Sequence, residues 1–199
     1  MNFNYIGITY QFWNLVRESI NEMEKNNNAS LIISGHDPNI SNEESWDIYE
    51  EKTKWNDFRI GVPVLFNYYH GLELLMKGLL QEVNVVPRKK NHKLTEYYAQ
   101  IIDNKNKFTP EIINIIGKFL KKSNRFEIFF TDNGGSVDDF YIMLRYPGPI
   151  EENIHFGFRH IRGTDKKGLD KWLKLRDNTV EIKKEIENWK KALPNTAQN

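Results

Sequence analysis

The chain contains no cysteine. Disulfides, thiol nucleophiles and cysteine-ligated zinc are therefore excluded, and the composition fits a reducing cytoplasm. It also lacks a surplus of either charge: 28 basic residues stand against 27 acidic ones, a net of +1. That balance removes any whole-protein electrostatic case for nucleic acid and leaves only local cationic patches. No window has the apolar length of a membrane-spanning helix. The start, "MNFNYIGITYQFW", lacks the basic region and long apolar run of a signal peptide. The expectation is a soluble cytoplasmic protein with no membrane association and no cofactor. The sequons at Asn28 and Asn39 then read as incidental.

What is present is 199 residues, 39% hydrophobic and 13% aromatic, enough for one domain (1–199) with a real core. Ile8, Phe12, Leu15, Val16, Ile20 and Met23 recur at helical spacing and predict a first helix from Tyr5 to Lys25. The polar stretch at 26–57 predicts a long loop packed down through Trp46, Tyr49 and Trp55. Leu65, Tyr68, Leu72, Leu75, Leu79 and Val83 then form one long stripe, widened by Met76 and Leu80. This is the pattern of a central bundle helix, with Gly61 and Pro63 marking its start. A shorter helix is expected from His92 or Lys93 to Ile102. Thr109 and Pro110 signal another start, with Ile112, Ile115, Ile116 and Phe119 as its buried face. Trp172, Leu175, Ile182, Ile186, Trp189 and Leu193 define the last helix, Thr179 filling the gap, before a frayed tail at 194–199.

The segment 126–160 is open. "FEIFF" and "IHFGF" have β-type composition around the turn signal "DNGG", which suggests a small β-hairpin. "VDDFYIMLRY" reads equally as a short helix stopped by "PGP". The expected fold class is mainly α, an antiparallel up-down bundle of four to five helices with that hairpin as an optional addition.

"YYHGLELLMKGLL" followed by "RKKNHKLTEYYAQI" resembles the HEPN superfamily of small helical bundles. The matching positions are Glu73, Leu74, Lys77, Leu79 and Leu80, then His92 and Leu94, with a second echo in "LRYPG" (144–148). The resemblance spans roughly residues 58 to 190. It implies an antiparallel bundle, often dimeric, and either a metal-independent ribonuclease or an inactive binding module of bacterial defence and toxin–antitoxin systems. The ribonuclease members carry an arginine and polar residue followed within a few positions by histidine, at the last helix. Here "RDN" (176–178) matches the beginning of that motif, but the next six residues contain no histidine. Under the ribonuclease reading, Arg176 must borrow a histidine from elsewhere, His160 or His92.

Other candidates come from the residues themselves. Glu73 and Lys77 lie at i and i+4, with His70 one turn earlier; a polar seam that fixes helix pairing is the simpler role. His92 reads as a cap or packing residue, or as a phosphate contact beside Arg88, Lys89, Lys90 and Lys93. "HFGFRHIRG" interleaves His155, Arg159, His160 and Arg162 with Phe156 and Phe158. That mixture can grip a nucleic-acid strand by charge and stacking, or can bury the rings and leave the cations in water. No carboxylate cluster supports metal binding by His155 and His160, so no metal is expected. Arg145 either anchors its loop through Asp138 or Asp139 or lines a groove. The leading expectation is a non-catalytic, HEPN-like homodimer contacting RNA or a protein partner; the alternative is an endoribonuclease.

Overall fold

The structure, a computed structural model, describes residues 3–29, 39–87, 91–120, 126–148, 155–163 and 166–193. The chain is built from helices, and among the described residues there is no strand. Helix α1 spans Tyr5–Lys25, opened by Asn4, whose side chain accepts from Gly7 N at 2.9 Å. It ends in the asparagine cluster because Asn27 and Asn28 both take left-handed backbone angles, φ 53° and 50°, which asparagine tolerates better than most residues.

The stretch 26–57 is not one long loop. It contains helix α2, Asn42–Thr53, capped by Ser41 and burying only Thr53. A helix solvated almost all round has no apolar stripe, so periodicity does not reveal it. Trp46 is 60% exposed and does not anchor the segment; Tyr49 and Trp55 are half-buried. The anchors are polar: Asn56 Nδ2 donates to Ala29 O at 2.9 Å, and Asp57 N donates to Asn28 Oδ1 at 2.8 Å.

Helix α3, Asp57–Glu82, starts a turn earlier than Gly61 and Pro63 suggest, because the Asn56 side chain caps it at Arg59 N. Pro63 therefore lies inside the helix, where it removes a single backbone donor. Helix α4 is Leu94–Asp103, followed by a 3-10 turn at Lys105–Lys107. Helix α5, Pro110–Gly117, has Thr109 as its cap and proline in the first turn, as expected.

The hairpin reading of 126–160 fails where the chain is described. "FEIFF" belongs to helix α6, Glu127–Asp132, with Phe126, Phe129 and Phe130 fully buried at i, i+3 and i+4. β-type composition loses here to a helical burial pattern. A 3-10 turn at Val137–Asp139 leads into the short helix α7, Phe140–Met143. Residues 155–158 are irregular and are pinned to the end of α6 by Asn133, which exchanges two hydrogen bonds with the Gly157 backbone. Helix α8, Lys166–Ala192, completes the chain.

Side-chain contacts fix the helix directions. Thr9 meets Gly71, Trp13 meets Tyr68, and Gln81 meets Phe3, so α1 and α3 run antiparallel. Trp172 meets Asp57, Asn178 meets Tyr68, and Lys190 meets Glu82, so α3 and α8 run in the same direction. Helix α1 is antiparallel to both, Arg176 meeting Glu24 and Lys183 covering Tyr10. The elements from α4 to α7 form the crossover between the two parallel helices. The core they enclose is rich in aromatics, with Tyr68, Tyr69, Phe126, Phe129, Phe130, Phe140 and Trp172 all fully buried. Helices α1 and α3 approach closely at Gly71, where a Cβ would stand 2.5 Å from Trp13 Nε1.

One polar knot holds four segments together. Buried Asp57 accepts from Gly163 N at 2.7 Å and from Trp172 Nε1 at 3.2 Å, both through Oδ2. Asn28, also buried, bridges Asp57 N to Gly163 O. Burial pushes the Asp57 carboxyl above the ordinary carboxylate range despite these donors and nearby Lys171. Among the described residues no helix is long and apolar enough to cross a membrane.

Candidate functional site: a buried carboxylate beside a cleft

Glu73 lies in the second half of α3 and is 1% exposed. An ionised carboxylate survives there only with compensation. Lys77, one turn on, donates to Oε1. His92 Nδ1 stands 3.1 Å from each carboxylate oxygen. His70 Nδ1 lies 3.6 Å from Oε2, beyond hydrogen-bond reach, and finds no other hydrogen-bond partner. Its influence on Glu73 is therefore electrostatic. Burial alone would push the carboxyl up, but the surrounding nitrogens outweigh it and hold Glu73 at about 2, below its ordinary 4.5. Burial acts against the Lys77 ammonium, and Glu73 more than offsets it, so the lysine is held above its ordinary value.

His70, Glu73 and Lys77 thus lie together on α3, and His92 reaches the same carboxylate from just before α4. Two further features position that histidine. Its ring stacks on Tyr141 of α7, centroids 3.8 Å apart and planes within 6°. The start of α4, which has no cap of its own, is held by Asp138 across the fold: Thr95 N donates to Oδ1 at 2.8 Å. With Nδ1 donating to Glu73, the neutral ring presents Nε2 as an acceptor, and the protonated ring presents it as a donor.

Lys77 and His92 both face a cleft of about 820 Å³ between the start of α1, the end of α3 and the approach to α4. Its walls include Tyr5, Val85, Val86 and Tyr97. The Lys77 ammonium lies 5.2 Å from the Tyr97 ring centroid, and the Tyr97 hydroxyl donates to Asn91 O. Charge and aromatic surface therefore meet in one concavity, the usual composition of a small-molecule site.

The remaining candidates do not gather around it. Arg176 pairs with Glu24 of α1 at 2.5 Å, and also contacts Asn21 and Asp177. His160 Nε2 lies 2.6 Å from Asp132 Oδ2. That contact assigns the ring proton to Nε2, so the Arg159 Nε contact at 2.9 Å to the same nitrogen is not a second hydrogen bond. Arg159 instead reaches Asp132 through Nη2 at 3.1 Å. Neither His160 nor His92 is among the partners of Arg176.

Arg145 is not tied to Asp138 or Asp139. Asp138 serves Thr95, and Asp139 accepts from Ser136. The Arg145 guanidinium lies 4.5 Å from the Tyr141 ring centroid and 5.3 Å from that of Tyr146, while remaining exposed. Arg162 sits 5.0 Å from the Phe58 ring centroid. Lys93 and His155 are exposed; Phe156 is buried, so the ring faces the core and its cationic neighbours face water. Arg88, Lys89 and Lys90 lie outside the described residues. Among the described residues no group of three or more histidine or acidic side chains could hold a metal. No family model, curated protein or solved structure matches this chain.

Proposed function

We propose that this protein is a non-catalytic, HEPN-like binding module, dimeric, that contacts RNA in a bacterial defence or toxin–antitoxin setting. One observation carries the non-catalytic part. Arg176, His160 and His92, the groups a metal-independent ribonuclease would use, are each engaged by a different carboxylate: Glu24, Asp132 and Glu73. A general base and a phosphate-stabilising cation have to converge on one reacting phosphate. Nothing in these contacts draws the three together. RNA is favoured as partner by two exposed arginines seated over aromatic rings, Arg145 on Tyr141 and Arg162 on Phe58. The guanidinium planes, held flat by these rings, offer a single strand both charge and a stacking surface. The dimer and the biological setting rest on the family resemblance.

The test uses a mixed RNA pool with purified protein in EDTA, alongside Arg176→Ala, His160→Ala and the double variant Arg145→Ala/Arg162→Ala. The expected result is intact RNA and a salt-sensitive gel shift, weakened in the double arginine variant. Cleavage that disappears in folded Arg176→Ala or His160→Ala would replace this reading with the enzyme. Intact RNA without any shift would turn the search to a protein partner. Molar mass by light scattering over a range of concentrations checks the dimer.

A further inference from the structure

The cleft beside Glu73 is the part of the molecule that binding to an RNA strand leaves unexplained. We propose that it binds a small organic anion with a flat apolar body, the acidic group lying against Lys77 and His92. The inference stands on geometry and charge, and it is independent of RNA binding.

The cleft's volume of about 820 Å³ lies within the usual range for small-ligand sites, roughly 300–1,000 Å³. Tyr5, Val85, Val86 and Tyr97 supply apolar wall, and Val86 is 85% exposed. The polar end is set by Glu73. Its single negative charge is balanced by Lys77, leaving His92 to decide the sign of the wall. A neutral His92 makes the trio neutral; a second proton, on Nε2, makes it cationic by one charge and adds a donor that Glu73 does not use. Lys77 likewise keeps N–H donors beyond the one given to Glu73.

Charged and aromatic groups face His92 from three elements. From α3 it is faced by Glu73, with Lys77 and His70 beside the same carboxylate. From α7 it is faced by the Tyr141 ring, which also carries the Arg145 guanidinium. From α4, Tyr97 packs against Lys77. Glu73 is the one acid among these groups and is already engaged, and no carboxylate is among the described residues that line the cleft. Anion binding should therefore be accompanied by proton uptake at His92 and tighten as pH falls.

The experiment is a ligand-observed NMR titration of the full chain with naphthoate, which stays ionised across neutral pH. Naphthalenemethanol serves as the uncharged counterpart. Val86→Glu places a negative charge on an exposed wall residue, so the fold is preserved, and Lys77→Met tests the half-buried cation. The expected result is saturable naphthoate binding, at least about fivefold tighter at about pH 6 than at about pH 8, and tighter than for the alcohol. Val86→Glu and Lys77→Met should each weaken it by about tenfold or more. Absence of saturable binding, equal affinity for the alcohol, or undiminished affinity in Val86→Glu would overturn the proposal.

Discussion

At the scale of single residues, two buried carboxyls pull the pH dependence of stability in opposite directions. Glu73 is held at about 2 against an ordinary 4.5. Its contribution is therefore present above pH 4.5 and is lost as pH falls toward 2. Glu73→Gln should remove that dependence, flattening the urea midpoint between these values while the parent declines, by about 2–3 kcal/mol in all. Asp57 behaves oppositely. Burial raises its carboxyl, so its contribution is full below the ordinary carboxylate range and is lost as pH rises through the folded value. Asp57→Ala leaves Gly163 N and Trp172 Nε1 without an acceptor. A loss of about 3 kcal/mol is expected, with faster amide exchange at Gly163 as the local check.

Legibility at this scale followed sequence distance. His70, Glu73 and Lys77 sit on one helix turn apart, so their spacing announces the seam. His92 joins it only because α4 packs on α3, and Tyr141 and Asp138 reach the site from further still. Asp57 and Asn28 gave no local signal, since their partners are Gly163 and Trp172, over a hundred residues on.

At the scale of elements, the borrowed cap is the most exposed dependency. Helix α4 begins at Leu94, Lys93 before it supplies no side-chain cap, and Asp138, 43 residues away from Thr95, supplies one. Asp138→Ala should cost about 1 kcal/mol and raise amide exchange at Thr95 before global unfolding. Gly71→Ala should cost about 1–3 kcal/mol in thermal or urea unfolding, because the indole of Trp13 is rigid and occupies the space a methyl group needs. The helices that periodicity revealed, α1, α3, α5 and α8, each bury a stripe, but in α1 it runs through Ile6, Thr9, Trp13, Val16, Ile20 and Met23, and the expected Ile8 and Leu15 are exposed. Helix α2 buries only Thr53 and so leaves no pattern to find. Helix α6 is short and made of aromatic and β-branched residues, and its type was decided by where its phenylalanines could be buried together.

At the scale of the whole molecule, α8 closes the core. Trp172 is fully buried against Phe126, donates to Asp57 and approaches Gly61. Trp172→Ala should cost about 3–5 kcal/mol, read as a drop in the urea midpoint. That is a large share of the roughly 5–15 kcal/mol a domain of this kind possesses. The bundle class was legible from hydrophobic patterning. The parallel sense of α3 and α8 was not, because direction depends on how the crossover from α4 to α7 folds back.

That parallel pairing has a consequence for the chain as it leaves the ribosome. Helix α1 is already synthesised when α3 emerges, and the two can pair at once. The face of α3 bearing Asp57 and Gly61 must wait for Gly163 and for Trp172 of α8, more than a hundred residues later. A product truncated before α8 leaves the place of Trp172 beside Asp57 and Gly61 unfilled. Such a fragment is a natural client for chaperones and proteases.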